Sequence, residues 1–210
     1  MRYLLLSSLL AVMAWCGCSR VAHLGNITLT IIDDITLFTD TTSAYLYKSK
    51  INIYGHYLSG LMLIKPIDRG ENYKVAMTTE FGAKILDFEI VARQFVLNDC
   101  IEQMRRKRIL DLLALDMLIL LGQHELMPYV TNEGDSIKLY TFTDQPKSSY
   151  AINGKGDILD MIGYKKNKKV VTIKLSDYIA DIPKTILLEH HNMPVQIELN
   201  LIKAPGYAPE

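Results

Sequence analysis

The sequence predicts a mainly β fold, a strongly curved antiparallel sheet of about ten strands wrapped on one apolar helix. Three observations carry this. Apolar residues alternate with period two in short segments separated by turn residues. One segment, residues 101–121, changes to helical period, with Met104, Arg108, Leu112, Leu115 and Ile119 recurring on one face. The length suits one core rather than two.

Taken in order, the first strand is expected at 27–32. In the next, Tyr45, Tyr47, Ile51 and Ile53 share a face opposite Lys48, Lys50 and Asn52. Residues 57–65 are apolar at both parities and read as a strand buried on both faces. The turn Pro66-Ile67-Asp68-Arg69-Gly70 leads to Tyr73, Val75, Met77 and Thr79, and strands follow at 85–90 and 95–98. The segment 101–121 is basic in its first half and apolar nearly all round in its second, apart from Asp116; Gly122 is suited to ending it. A helix of that kind needs cover on most sides or a greasy cavity beneath it, which makes Leu112, Leu115, Leu118 and Ile119 the expected cavity lining. Strand patterns return at 137–143, 149–153, 158–164 and 168–175, with turns at 132–135 and 153–156. The last pair is Thr185 to Glu189 and Val195 to Leu201, joined by His190-His191-Asn192-Met193-Pro194.

The first eighteen residues resemble a bacterial lipoprotein signal. Arg2 precedes an apolar run from Tyr3 to Trp15, and Gly17 stands directly before Cys18. An uncleaved membrane anchor is the competing reading, but the run falls short of the roughly 20 apolar residues that span a bilayer. The expected organisation is a signal peptide over 1–17, a lipidated tether over 18–26, a lipid-binding domain over 27–203 and a loose tail over 204–210. Acylation of Cys18 is the one covalent group this implies. Two or three acyl chains hold a protein stably at about 0.8 kcal/mol per buried methylene, where one chain does not. The residues after Cys18 carry no acidic run, which suits the periplasmic face of an outer membrane.

Charge and motif exclude several classes. With 23 basic and 23 acidic residues the chain lacks the footprint of a nucleic-acid binder. If Cys16 leaves with the signal and Cys18 takes lipid, Cys100 remains as a lone buried thiol, unable to form an intramolecular disulfide. Adjacent His190 and His191 point to opposite faces and read as a solvated hairpin, not a metal site. His56 and His124 have no ligand-spaced partners, no Gly-x-Ser-x-Gly elbow occurs, and Asp33, Asp34, Asp157 and Asp160 read as turn and edge carboxylates. Arg105-Arg106-Lys107-Arg108 reads as the solvated start of a helix, with a membrane or partner patch as the alternative. No catalytic residue and no cofactor is expected.

The run from Tyr73 to Ile90, with Thr79-Glu80-Phe81-Gly82 between its two strands, resembles the strand, turn and strand of the LolB/LolA lipoprotein-localisation family. There, a hydrophobic residue followed by Gly forms the tip of a protruding loop. The segment Ile182-Pro183-Lys184-Thr185-Ile186-Leu187-Leu188 and the strand after it look like that family's closing hairpin. Glu80 stands where the family usually has proline, and no Trp follows Leu201. The resemblance implies a half-open β-barrel with a helical lid. Its cavity would accept acyl chains of lipoproteins or lipids, and Phe81 and Gly82 would touch membrane or cargo. It also implies outer-membrane lipid, lipoprotein cargo and a LolA-like periplasmic carrier as partners. A structural scaffold with a closed cavity is the alternative; an envelope hydrolase is a third.

Overall fold

The computed structural model describes residues 35–68, 71–125, 128–133 and 137–207. The expected signal peptide, Cys18, the tether and the strand at 27–32 lie outside the described residues. Twelve strands are present: β1 (Tyr45–Ile53), β2 (His56–Ile67), β3 (Asn72–Thr78), β4 (Lys84–Val91), β5 (Gln94–Cys100), β6 (Tyr129–Glu133), β7 (Ile137–Phe142), β8 (Ser148–Asn153), β9 (Ile158–Lys165), β10 (Lys168–Ile179), β11 (Ile182–His190) and β12 (Val195–Lys203). They form one antiparallel sheet in the order β5-β4-β3-β2-β1-β12-β11-β10-β9-β8-β7-β6. Among the described residues one α-helix, α1 (Lys107–Leu120), follows a 3-10 turn at Glu102–Met104.

The sheet curls because each strand has one apolar face to bury, and among the described residues α1 is the helix it closes on. Inward positions such as Tyr47, Ile51, Met62, Ile64, Val75, Met77, Ile197 and Leu199 are closed off from solvent, while their neighbours Lys48, Lys50, Lys74 and Gln196 face water. Register shifts at Leu46/Tyr47, Met77/Thr78, Asp87/Phe88, Ala151/Ile152 and Lys169/Val171 place an irregularity in several of the ladders, and such bulges tighten twist and bend a sheet. Among the described residues the ends of the sheet, β5 and β6, do not pair with each other, which leaves the described barrel open on one side. The half-open barrel with a helical lid is therefore the architecture present, with twelve strands where about ten were expected.

Two expectations need correction. Residues 57–65 are not buried on both faces: Met62 and Ile64 point inward, but Tyr57 is 81% exposed and Leu63 39%. The described strands form one layer, and no described element packs on its convex side. Asn132 and Glu133, expected in a turn, belong instead to β6 and pair with β7, while 134 and 135 lie outside the described residues.

The helix begins later than its sequence period suggests. Arg106 is extended (φ −66°, ψ 126°) and supplies no side-chain cap, which separates the 3-10 turn from α1. It ends where Gly122 takes φ +64°, the left-handed conformation that glycine adopts without strain. A Cβ at Gly122 would also stand 2.9 Å from the Ile35 carbonyl oxygen. The helix seats on β9 through Gly163, where a Cβ would lie 2.5 Å from Ile119 Cδ1 and 2.7 Å from Val171 Cγ1. Gly163→Ala is thus expected to cost about 1–3 kcal/mol by overpacking, read as a lowered urea midpoint with unchanged slope. Wild-type stability in that variant would show that the helix does not sit this close.

Of the segment expected to be a loose tail, Ala204 is buried and pairs with Tyr207 in an isolated bridge; residues 208–210 lie outside the description.

Candidate functional site

Antiparallel order sends the β1–β2, β3–β4, β7–β8, β9–β10 and β11–β12 connections to one end of the sheet, and β5 ends there too, where the 3-10 turn and α1 begin. A cavity of about 290 Å³ opens near this rim, at the junction of α1 with β10 and β11. That is the low end of the roughly 300–1,000 Å³ usual for small-molecule sites. Leu112, Leu115, Val170, Val171 and Met193 make its apolar wall, and Arg108, Asp111, Lys165, His190 and Asn192 its polar part.

The four residues expected to line a cavity are therefore divided. Leu112 and Leu115 line it. Leu118 is half-buried against the core, and Ile119 is fully buried, packed on β9 at Gly163. The separation follows from helix geometry, since 112 and 115 precede 118 and 119 by three to seven residues and so lie nearer the rim.

Phe81 is 99% exposed at the tip of the β3–β4 connection. The loop that carries it is held by its own backbone: Gly82 N–H donates to the Thr79 carbonyl at 3.0 Å, and Thr79 N–H to the Ala83 carbonyl at 2.8 Å. Thr79 Oγ1 accepts from Ala83 N–H at 3.0 Å, and Glu80 pairs with Lys48 at 3.0 Å. Gly82 takes φ +84° to close the turn. The ring is thus presented by an ordered loop and not folded into the core. Tyr54, 56% exposed in the β1–β2 turn, and Tyr57 join it at the same rim.

His190 also lines the cavity, and it belongs to a pair that sequence reasoning missed. His190 Nε2 stands 3.0 and 2.9 Å from the two carboxylate oxygens of Asp116, and Nδ1 donates to the Val195 carbonyl at 2.9 Å. The side chains are 1% and 0% exposed, so His190 is not part of a solvated hairpin. The reading fails because β11 continues to His190 and turns its ring inward, while His191 points outward to accept or donate a bond with Thr172 Oγ1 at 2.7 Å. Burial pushes the Asp116 carboxyl above its ordinary range, with His190 acting against it. For His190 burial disfavours the charge, but Asp116 and the Val195 carbonyl outweigh it and hold the imidazole above its ordinary value. Each of the two groups is thus shifted toward holding its proton, Asp116 by burial and His190 by its partner.

His124 also has partners after all. Its ring stacks on Phe142 at 3.8 Å between centroids, and Nε2 lies 3.1 Å from Ser148 Oγ and 2.9 Å from Tyr150 Oη. Nδ1 is 3.6 Å from Asp144 Oδ1, beyond hydrogen-bond length. Ser, His and Asp thus converge, but Ser148 is 0% exposed, and the Nε2 it would need is shared with Tyr150, whose hydroxyl donates to the Ile119 carbonyl. This arrangement ties the end of α1 to β8. Burial pushes His124 down to about 4, against the opposing pull of Asp144.

Cys100 is a buried free thiol, and Asn153 and Asp157 close the β8–β9 turn through their side chains, both as expected. Among the described residues no cluster of metal-ligating side chains occurs, and no helix is long and apolar enough to cross a membrane.

No family model matches the sequence, and no curated protein matches it. Among solved structures, a Vibrio parahaemolyticus protein assigned as an outer membrane lipoprotein-sorting domain is 10% identical, with a TM-score of 0.44 over 77% of this chain and 84% of that one. A DUF1329 family protein from Desulfovibrio piger is 13% identical, with a TM-score of 0.44 over 78% and 85%. The strand order and helix described above give the half-open antiparallel barrel with a helical lid that the sequence resemblance implies.

Proposed function

We propose that this protein is an outer-membrane lipoprotein, anchored through Cys18 on the periplasmic face, that binds acyl chains of lipoproteins or lipids beside α1 and helps insert them into the membrane without a catalytic step. The observation that supports this best is shared placement. The apolar cavity opens near the rim that carries Phe81, Tyr54 and Tyr57, so a chain leaving the cavity emerges where aromatic rings meet a bilayer. A LolA-like carrier as the source of cargo follows from the resemblance.

Burying the Phe81 ring among head groups contributes on the order of 2 kcal/mol. Phe81→Glu is therefore expected to leave the melting temperature within about a degree of wild type, since an exposed side chain changes stability by less than about 0.5 kcal/mol. The same change should stop delivery of lipoproteins to vesicles. Wild-type delivery by Phe81→Glu would contradict the role.

A structural scaffold is the second reading, favoured by one observation: the barrel interior is occupied by large buried side chains, among them Tyr47, Tyr73, Tyr150, Phe38 and Phe88. Mass spectrometry of the purified protein separates the two. Acyl lipid retained at near one per chain supports the carrier, and lipid-free protein supports the scaffold.

A further inference from the structure

We infer that the cavity beside α1 selects an anionic amphiphile, a lipid whose head group carries a net negative phosphate. The inference rests on the acyl-binding reading above and adds the chemistry of the head group.

The argument is one of charge at the cavity edge. Arg108 from α1 and Lys165 from β9 both line the opening, and neither makes an ion pair among the described residues. Around them Arg106, Lys166, Lys168 and Lys169 are exposed and likewise make no ion pair among the described residues. The carboxylates nearby are already matched. Asp111, at the same edge, is held by Lys107 at 2.8 and 2.9 Å. Glu189 is held by Lys174 at 2.7 Å, Asp99 lies 3.9 Å from Arg105, and Asp116 is paired at 2.9 Å with His190, which lines the cavity. What remains uncompensated is positive and contributed by two separate elements that meet at one opening.

Surface cations alone are common and prove little. Here they border an apolar wall of Leu112, Leu115, Val170, Val171 and Met193, so one molecule with a chain and an anion satisfies both surfaces at once. A zwitterionic head group would meet the same cations with no net attraction. A neutral lipid would leave them unmatched. Charges beside a low-dielectric wall also act more strongly than charges in open water.

The test titrates the full mature chain, extracted from membranes in nonionic detergent, with palmitoyl-lysophosphatidylglycerol and palmitoyl-lysophosphatidylcholine by native mass spectrometry. The two share chain and phosphate and differ in net charge. The anionic lipid is expected to bind about tenfold tighter, falling to near parity in the double variant Arg108→Gln, Lys165→Gln and at high salt. Equal affinity in the wild type, or a preference that survives the double variant, would overturn the head-group inference while leaving the acyl-binding reading in place. Failure of both lipids to bind would overturn both. Glycerol 3-phosphate is the control for free phosphate: displacement of the anionic lipid at comparable concentration would assign the site to a soluble phosphate ester and overturn the lipid assignment.

Discussion

Asp116→Ala is expected to destabilise the protein by about 3–5 kcal/mol near pH 6, because it removes one partner of a buried pair and leaves the other without an acceptor. Asp116 and His190 bring α1 and the end of β11 into direct contact at 2.9 Å. Asp116→Asn should recover most of the loss. With Nδ1–H given to the Val195 carbonyl, neutral His190 offers Nε2 as an acceptor for the Asn amide. The pH dependence has a definite sign. His190 is raised in the folded state, so the stability it contributes is complete below its unfolded value of about 6.5 and is lost as pH rises through the folded value. The gap between wild type and Asp116→Ala should accordingly narrow on the alkaline side. Urea unfolding at several pH values measures it; a cost below about 1 kcal/mol at pH 6 would show that the pair contributes little.

His124 governs the acid side with the opposite sign. Its folded value is pushed down to about 4, so below about 6.5 the unfolded chain takes up a proton that the folded chain refuses. Stability should then fall by up to about 1.4 kcal/mol for each pH unit between 6.5 and 4. His124→Gln removes that component while keeping a polar side chain near Ser148 and Tyr150. The variant is expected to be weaker than wild type at pH 7 and to lose about 2–3 kcal/mol less on going to pH 4.5. Parallel pH profiles for the two proteins would show that His124 is protonated in the fold. Together the two histidines predict a stability maximum between the acid and alkaline losses.

The difference between these buried groups and the rest of the fold explains what was legible in the sequence. Alternation at Tyr45, Tyr47 and Ile51 marks β1 because its two faces differ in chemistry, and the period change near Met104 marks α1 because a helix repeats differently from a strand. Tyr57 to Lys65 misleads because apolar residues on both faces suit a strand packed on both sides as well as a single-layer sheet that leaves one apolar face bare. The Asp116–His190 pair spans 74 positions, and the only local trace of it is a single carboxylate in an otherwise apolar half-helix. That isolated charge was the signal available, since a buried carboxylate requires a partner. Likewise the cavity edge joins Arg108 to Lys165, which no spacing connects; each alone reads as solvated. Phe81 was readable as an exception, a large apolar residue in a turn, and its exposure agrees with the loop-tip reading over a core position.

The central claim, that an acyl chain occupies the cavity beside α1, is tested most directly by titrating a fluorescent palmitoyl probe into wild type and Leu115→Trp. Leu115 is half-buried on the cavity wall, so a Trp there fills the space without displacing the packed core. The account predicts one saturable site in wild type, weakened by about tenfold or more in Leu115→Trp, with the melting temperature held or raised. Absence of saturable binding in wild type, or equal binding by Leu115→Trp, would contradict it.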